Sequence, residues 1–320
     1  MANEITTTTM NDVTNSALVE PVIILALSEQ PGIAVQSCRE FSAIGKPTNA
    51  LTIPTQTSYW GSANDDGAGV DTEFDGTQAT ALSNTAVSTG AVTLTAAEYG
   101  VAHQVTDNVG EDSAIDALEL MNLFTGQMLK VLQLALDDDF CALFASLSNS
   151  VGTTTVDLSV ANMIAAFSGI RTRGTIADAT VYVLDTQQAE DLDTAISAGN
   201  AAAAVFALSA DRLIGYAPTP DHGIAPGRKM ASFRGFPVYV TGLTDTANAA
   251  ADVVGACYCP TSAFNDSTGA TTFGLVWKRL PKFETQRQAK SRGTDLVMTM
   301  RAGVAELQDG SGTKIVTDAP

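Results

Sequence analysis

Between Ser113 and Ser148 the chain carries an apolar stripe that points to one kind of element. Ile115, Leu118, Met121, Phe124, Met128, Leu132, Leu136, Phe140, Leu143 and Leu147 recur at steps of three and four residues. That spacing places side chains on one face of an α-helix. Ser113, with Asp116 three residues on, makes a capping-box-like start, and Asn149 to Gly152 supplies the stop. Gly126 is the one interruption, and it leaves two readings open: a single continuous helix, or a core helix broken at that glycine. A continuous helix would be about 50 Å long at roughly 1.5 Å per residue. The average globular helix has only about 11–12 residues.

The segments before this helix read as extended. Residues 1–45 form an arm: polar from Met1 to Thr14, then a short apolar run, then the Pro31-Gly32 break. The apolar run, Ala17 to Leu27, contains Glu20 and Pro21, lacks a basic stretch before it, and is too short to span a bilayer. It therefore reads as neither a signal peptide nor a membrane helix. From Phe41 the pattern turns extended, with Leu51 and Ile53 alternating with Thr52 ahead of Pro54, a sheet-edge signature. Residues 61–90 contain five glycines (Gly61, Gly67, Gly69, Gly76, Gly90) and five acids (Asp65, Asp66, Asp71, Glu73, Asp75), with no base. A second extended run follows, first Val92 and Leu94, then Tyr99, Val101, His103 and Val105 in period two. Two extended runs flanking an acidic, glycine-rich segment predict a long two-stranded ribbon that projects from the body. Such a ribbon is marginal alone in water and needs another subunit to lie on.

Beyond the helix the pattern alternates without a regular strand–helix–strand rhythm, which predicts an α+β fold. Val160 to Arg171 and Gln187 to Ala198 look helical. Val181–Leu184, Pro237–Val240, Val253–Cys257, Phe273–Trp277 and Leu296–Met300 look like strands.

Charged residues make up only 16% of the 320 residues, against roughly 25% in an average globular protein. Thr, Ser, Ala, Gly and Asn cover the surface instead, which suits extensive protein–protein burial. The net charge of −18 argues against binding nucleic acid by phosphate neutralisation. The charge is also uneven: residues 1–170 hold three bases and 20 acids, and residues 171–320 hold 14 bases and 15 acids. Seven bases crowd between Lys278 and Arg301, beside only Glu284 and Asp295. This basic run leaves two readings open, contact with phosphates and contact with acidic protein, and in a chain of net charge −18 the second fits better. Four scattered cysteines (Cys38, Cys141, Cys257, Cys259) do not make a disulfide framework, and a reducing cytoplasm fits them best.

No constellation predicts catalysis, a metal or a cofactor. His222 follows Asp221 in a Pro- and Gly-rich loop, but no nucleophile elbow accompanies the pair, and His103 sits in an extended run. Cys257-Tyr258-Cys259 reads as two buried thiols on one side of a strand. Asp137-Asp138-Asp139 lies within the helix, where successive side chains diverge, so the expectation is one solvated acid and another pairing with a neighbouring subunit. Gly310-Ser311-Gly312-Thr313-Lys314 lacks phosphate-loop spacing and is expected to be a tight hairpin turn between Val304–Leu307 and Ile315–Val316.

The order of these parts resembles the Hong Kong 97 type coat fold of tailed-bacteriophage major capsid proteins. The Met1-Ala-Asn-Glu-Ile5 opening, Val105-Thr106-Asp107 before the helix, and the tail Gly303-Val304 with Gly312-Thr313-Lys314-Ile315-Val316 are similar to members of that family. The resemblance implies an N-terminal arm (1–45), an extended ribbon loop (46–110), a spine helix with the peripheral domain (111–157), an axial domain (158–255) and a return to the peripheral domain (256–320). Val181–Asp185 would be a central axial strand. The function implied is a non-enzymatic subunit that assembles into hexamers and pentamers, forming an icosahedral virion capsid around double-stranded DNA. Implied partners are further copies of itself, a separate scaffolding protein, a portal protein, decoration protein and DNA held without sequence specificity. It would be made in the host bacterial cytoplasm, with no membrane and no cofactor involved. The scaffolding partner is expected because the arm is too short for a scaffolding domain of its own.

Some family members cross-link a ribbon lysine to a peripheral asparagine. Here the ribbon has only Lys46, at its base, and no asparagine follows Asn265, so that chemistry should be absent. Encapsulin shells share the fold. Rival readings are a tail-tube protein, which would not need the long helix, and a cytoplasmic enzyme with an acidic site. In the family the ribbon of one subunit lies across its neighbour's peripheral domain. The acids Asp65, Asp66, Asp71, Glu73 and Asp75 are therefore expected to face Lys278, Arg279, Lys282, Arg287, Lys290 and Arg292 between subunits.

Overall fold

In the computed structural model the long helix is unbroken from Ala117 to Ala142 and tightens into a 3-10 turn over Leu143–Ser146. The structure describes residues 4–5, 32–56, 89–112, 117–172, 180–197, 229–233, 236–247, 251–260 and 271–318. Helix runs through Gly126 because that position faces outward: a Cβ there would meet nothing within 4 Å. The opposite face buries Phe124, Met128, Leu132, Leu136 and Phe140, each one turn after the last. The expected cap, Ser113 and Asp116, lies outside the described residues, and a short helix, Asp107–Asp112, precedes it.

Fourteen described strands follow in chain order: β1 (Glu4–Ile5), β2 (Arg39–Ser42), β3 (Ala50–Gln56), β4 (Thr89–Thr95), β5 (Ala97–Thr106), β6 (Ser150–Val151), β7 (Val181–Asp185), β8 (Lys229–Phe233), β9 (Phe236–Thr241), β10 (Thr246–Ala247), β11 (Asp252–Tyr258), β12 (Phe273–Gln288), β13 (Gly293–Glu306) and β14 (Gly312–Asp318). They make three sheets. A five-stranded sheet has the order β1-β5-β13-β12-β2, and a seven-stranded one has the order β6-β14-β11-β7-β9-β8 with β10 beside β11. The third sheet is the two-stranded antiparallel ribbon β3–β4, in which Leu51 faces Leu94 and Ile53 faces Val92.

The ribbon is narrower than the pattern implied. β5, with its period-two Tyr99, Val101, His103 and Val105, leaves the ribbon and pairs antiparallel with β13. One face of β5 lies against the long helix and its neighbours, which is why its apolar residues alternate over ten positions.

Val181–Asp185 is fully buried and flanked by β11 and β9, so it is central in its sheet. Gln188, on the helix Thr186–Ser197 that follows it, accepts from the Asp185 amide and donates to Ile315 O (3.1 Å) and Thr317 Oγ1 (2.9 Å). One buried amide thus ties β7 to β14.

Within 256–320 the chain visits both large sheets. The end of β11 lies in the seven-stranded sheet, β12 and β13 in the five-stranded sheet, and β14 in the seven-stranded sheet again. The expected hairpin around Gly310–Lys314 is accordingly absent, since β13 and β14 belong to different sheets. A 3-10 turn, Asp309–Ser311, redirects the chain and is pinned to the end of the long helix. Asp309 Oδ1 accepts from the Ser148 amide at 2.7 Å, and Asn149 Nδ2 donates to Gly312 O at 3.2 Å.

The junction of the two large sheets is aromatic. Phe140 and Phe144 from the end of the long helix, Tyr258 from β11 and Phe273 from β12 are all fully buried, with ring centroids 5.0–6.0 Å apart. Edge-on pairs dominate, the arrangement ring quadrupoles favour. Cys257 and Cys259 are buried on the other side of β11, in the second core with Tyr182, Leu184 and Ile315.

Candidate assembly surfaces

The six candidate bases all fall on one long hairpin. Lys278, Arg279, Lys282 and Arg287 lie on β12, and Lys290 and Arg292 in the turn that joins it to β13. Arg292 takes the left-handed backbone conformation (φ 49°) needed to close that turn. The sequence pattern had resolved only the ends of this hairpin, because charged and polar residues occupy its middle. From Leu280 to Arg287 the strand is largely exposed, so burial there does not impose an apolar alternation.

Several of these bases already have partners within the chain. Arg279 Nη2 reaches Glu98 Oε1 on β5 at 2.7 Å. Arg287 holds Asp107, at the start of the short helix, through both guanidinium nitrogens, with Nη2 to Oδ2 at 2.7 Å. The Arg287 hydrogen bond holds the Asp107 carboxyl below the usual range, and that bond raises the guanidinium in turn. Lys282 pairs with Glu284, two residues along and so on the same face, and its hydrogen bond lowers the Glu284 carboxyl. Lys278 Nζ donates to the carbonyls of Ala43 and Lys46 at the ribbon base. Among the described residues, Lys290 and Arg292 make no ion pair. The acids Asp65, Asp66, Asp71, Glu73 and Asp75 lie outside the described residues, as does His222.

The outer edge of β12 changes character at Trp277. β2 pairs with it in parallel over Gly274–Trp277, and beyond that no strand pairs with this edge among the described residues. Leu280 there is 56% exposed. Pro281 offers no amide, the register shifts twice between Trp277 and Lys282, and lysines and arginines follow. These devices keep an open edge from pairing indiscriminately.

The ribbon base is seated on the same hairpin. Leu94, Ala96, Ala43 and Val276 form a small core there, joined by Phe41, Leu51, Ile53 and Leu307. β13 passes so close beneath that a Cβ on Gly303 would lie 2.0 Å from Thr95 O.

The three aspartates of the long helix diverge, and two of them find partners within the chain. Asp137 is buried and accepts from the backbone amides of Gly32 (2.5 Å) and Ala34 (2.9 Å), at the first turn of the arm helix Ile33–Ser37. Asp139 accepts from the Tyr99 hydroxyl, whose pKa is pushed up by burial and then by that bond. Asp138 is exposed. The role of Asp137 escaped the sequence reading, although its position held a signal: it lies three residues before Phe140 and four before Cys141, on the buried side. Among the described residues no three potential ligands gather as a metal site, and no helix is long and apolar enough to cross a membrane.

No protein-family model and no curated protein matches the chain. Solved structures do. A chain of Mycobacterium phage Che8 is similar with a TM-score of 0.62 at 14% identity, over 94% of this chain and 96% of that one. The capsid structure of the cyanophage P-SCSP1u gives 0.63 at 11% identity, over 96% and 93%. The acid-stable capsid structure of Helicobacter pylori bacteriophage KHP30 gives 0.56 at 14% identity, over 97% and 97%. With the long helix, the two-stranded ribbon and the two large sheets in this order, the chain has the Hong Kong 97 type coat fold.

Proposed function

We propose that this chain is the major capsid subunit of a tailed phage, an architectural protein whose copies form hexamers and pentamers and close an icosahedral shell around double-stranded DNA. The observation that carries this reading is full-length similarity in both directions: 93% or more of this chain and of each phage chain above. Physical reasoning supports it independently. A two-stranded ribbon gains little stability by itself in water. A low-charge surface and an open strand edge suit repeated contact with identical neighbours, where many weak contacts add up in a closed assembly. Scaffolding, portal and decoration proteins are the expected further partners, with synthesis in the bacterial cytoplasm and residence in the virion.

The acidic segment Asp65–Asp75 is the proposed partner of the basic hairpin of a neighbouring copy. Individual exposed pairs contribute only about 0–1 kcal/mol, so this pairing sets register more than strength.

Electron microscopy of the purified chain, alone and co-expressed with the other head proteins, tests the assignment. Closed shells with six- and fivefold clusters are expected. A monodisperse monomer under every assembly condition, or open tubes, would count against it.

A further inference from the structure

A second feature concerns the foot of the arm and does not depend on the shell assignment. Asp137 receives the amides of Gly32 and Ala34, so the first turn of the arm helix sits directly against that point of the long helix. Cys38 follows Ala34 by four residues and closes the arm helix through its amide to Ala34 O at 3.0 Å. Cys141 follows Asp137 by four residues, one turn further along the long helix. Cys141 shares that face of the long helix with Asp137, and the Cys38 thiol, just past the end of the arm helix, lies within electrostatic reach of both. Tyr258, packed from β11, supports this convergence: both thiols and the Ser37 hydroxyl lie within electrostatic reach of its phenol. Both cysteines are buried in one core and neither is in a disulfide.

We propose that Cys38 and Cys141 are a built-in cross-link site, a dithiol that an oxidising environment converts into a disulfide stapling the arm to the long helix. With oxidised glutathione the balance is complete. The Cys38 thiolate attacks one glutathione sulfur and releases a glutathione thiolate. Cys141 thiolate then attacks Cys38 Sγ and releases the second. Two electrons pass to glutathione, and the two protons end on its two thiols. Cys38, at 6% exposure against 0% for Cys141, is the one reached first. Burial and the neighbouring Asp137 carboxylate disfavour its thiolate, which slows its attack on a disulfide. The bond would close a long loop (141 − 38 = 103 positions) holding the ribbon and most of the long helix.

Trypsin makes the test specific. Its cleavage sites put Cys38 in the peptide Met1–Arg39, Cys141 in Val131–Arg171, and Cys257 with Cys259 in a third peptide. The full chain, purified reduced, is incubated with oxidised glutathione, blocked by alkylation and mapped without reductant. The expected product is Met1–Arg39 joined to Val131–Arg171, lighter than their sum by two hydrogens and separated by reductant. Oxidation should raise the thermal midpoint by about 5 °C. Cys141→Ala should abolish both changes, and Cys257→Ala should leave the linked peptide in place. Separate glutathione adducts on the two cysteines would overturn the proposal. So would a link to the Cys257 peptide, persistent alkylation of both thiols while the guanidinium-unfolded chain reacts, or a bond that lowers the midpoint.

Discussion

Asp137 is a buried acid in the last two turns of the long helix, where it accepts from two backbone amides of the arm. Gly32 and Ala34 are the start of a five-residue helix, too short to hold itself together, and their N–H groups point into the core. Asp137→Ala leaves both donors unpaired at about 1–3 kcal/mol each, so a loss of roughly 3–5 kcal/mol in chemical unfolding is expected. Asp137→Asn keeps one acceptor and should cost clearly less. Equal losses in the two variants would mean that the carboxylate's second oxygen contributes nothing. Gly303 shows the opposite constraint, absence of a side chain. A Cβ 2.0 Å from Thr95 O cannot be absorbed by rotating a flexible neighbour, because the obstacle is backbone. Gly303→Ala should therefore destabilise by about 2–3 kcal/mol and displace the ribbon base. Wild-type stability in that variant would mean the crossing is looser than it looks. Neither partner can be read from the sequence, because both lie far away in the chain; spacing discloses only that Asp137 is on the buried side.

At the scale of elements, what the sequence discloses depends on how local the cause is. The long helix was legible because a stripe repeating every four residues needs only the helix itself to explain it. Its passage through Gly126 follows from the outward position of that glycine, so Gly126→Ala should stabilise by roughly 0.5–1 kcal/mol, measured as a higher urea midpoint. Destabilisation by alanine would mean the open space at that position is filled. The β12–β13 hairpin was only half legible: its core-facing ends alternate, while the stretch Arg279–Arg287 is held by hydrogen bonding to β13 and by ion pairs to β5 and the short helix. The false hairpin at Gly310–Lys314 arose because glycines mark a change of direction without saying which sheet receives the next strand. Asp107 and Arg287 offer a pH test of the distal hairpin. The folded-state carboxyl titrates below its unfolded value, so the contact's contribution is present above about pH 4, the ordinary carboxylate range, and is lost as pH falls through the lowered value. Asp107→Asn should consequently lower the thermal midpoint near neutrality, and the difference from wild type should vanish in acid. A difference that persists below the carboxylate range would assign the effect to packing.

For the whole molecule, the uneven charge is the property that folding of one chain does not explain. Folding consumes part of the basic run: Arg279 and Arg287 hold Glu98 and Asp107, and Lys278 caps carbonyls at the ribbon base. Lys290 and Arg292 at the hairpin tip make no ion pair among the described residues, and Lys282 behind them on the open edge is held only by its near neighbour Glu284, so these three are the bases best placed to act between copies. On the other side of the proposed contact stand Asp71, Glu73 and Asp75, which alternate with Val70, Thr72 and Phe74 and have no base near them in sequence. Because each exposed pair is weak, the contact should depend steeply on salt, with assembly slowing as the Debye length falls from about 10 Å at 0.1 M toward about 3 Å at 1 M. Charge reversal separates complementarity from simple loss of stability. Asp71→Lys, Glu73→Lys and Asp75→Lys together should block shell formation, and so should Lys282→Glu, Lys290→Glu and Arg292→Glu together. Arg279 and Arg287 are left untouched because their loss would damage the subunit itself. Combining both sets in one chain restores opposite charges across the contact while leaving every subunit with the same total charge as wild type. Partial recovery of shells, counted by electron microscopy, is the expected result. If the sixfold variant assembles no better than either threefold one, the acidic segment and the hairpin tip do not meet.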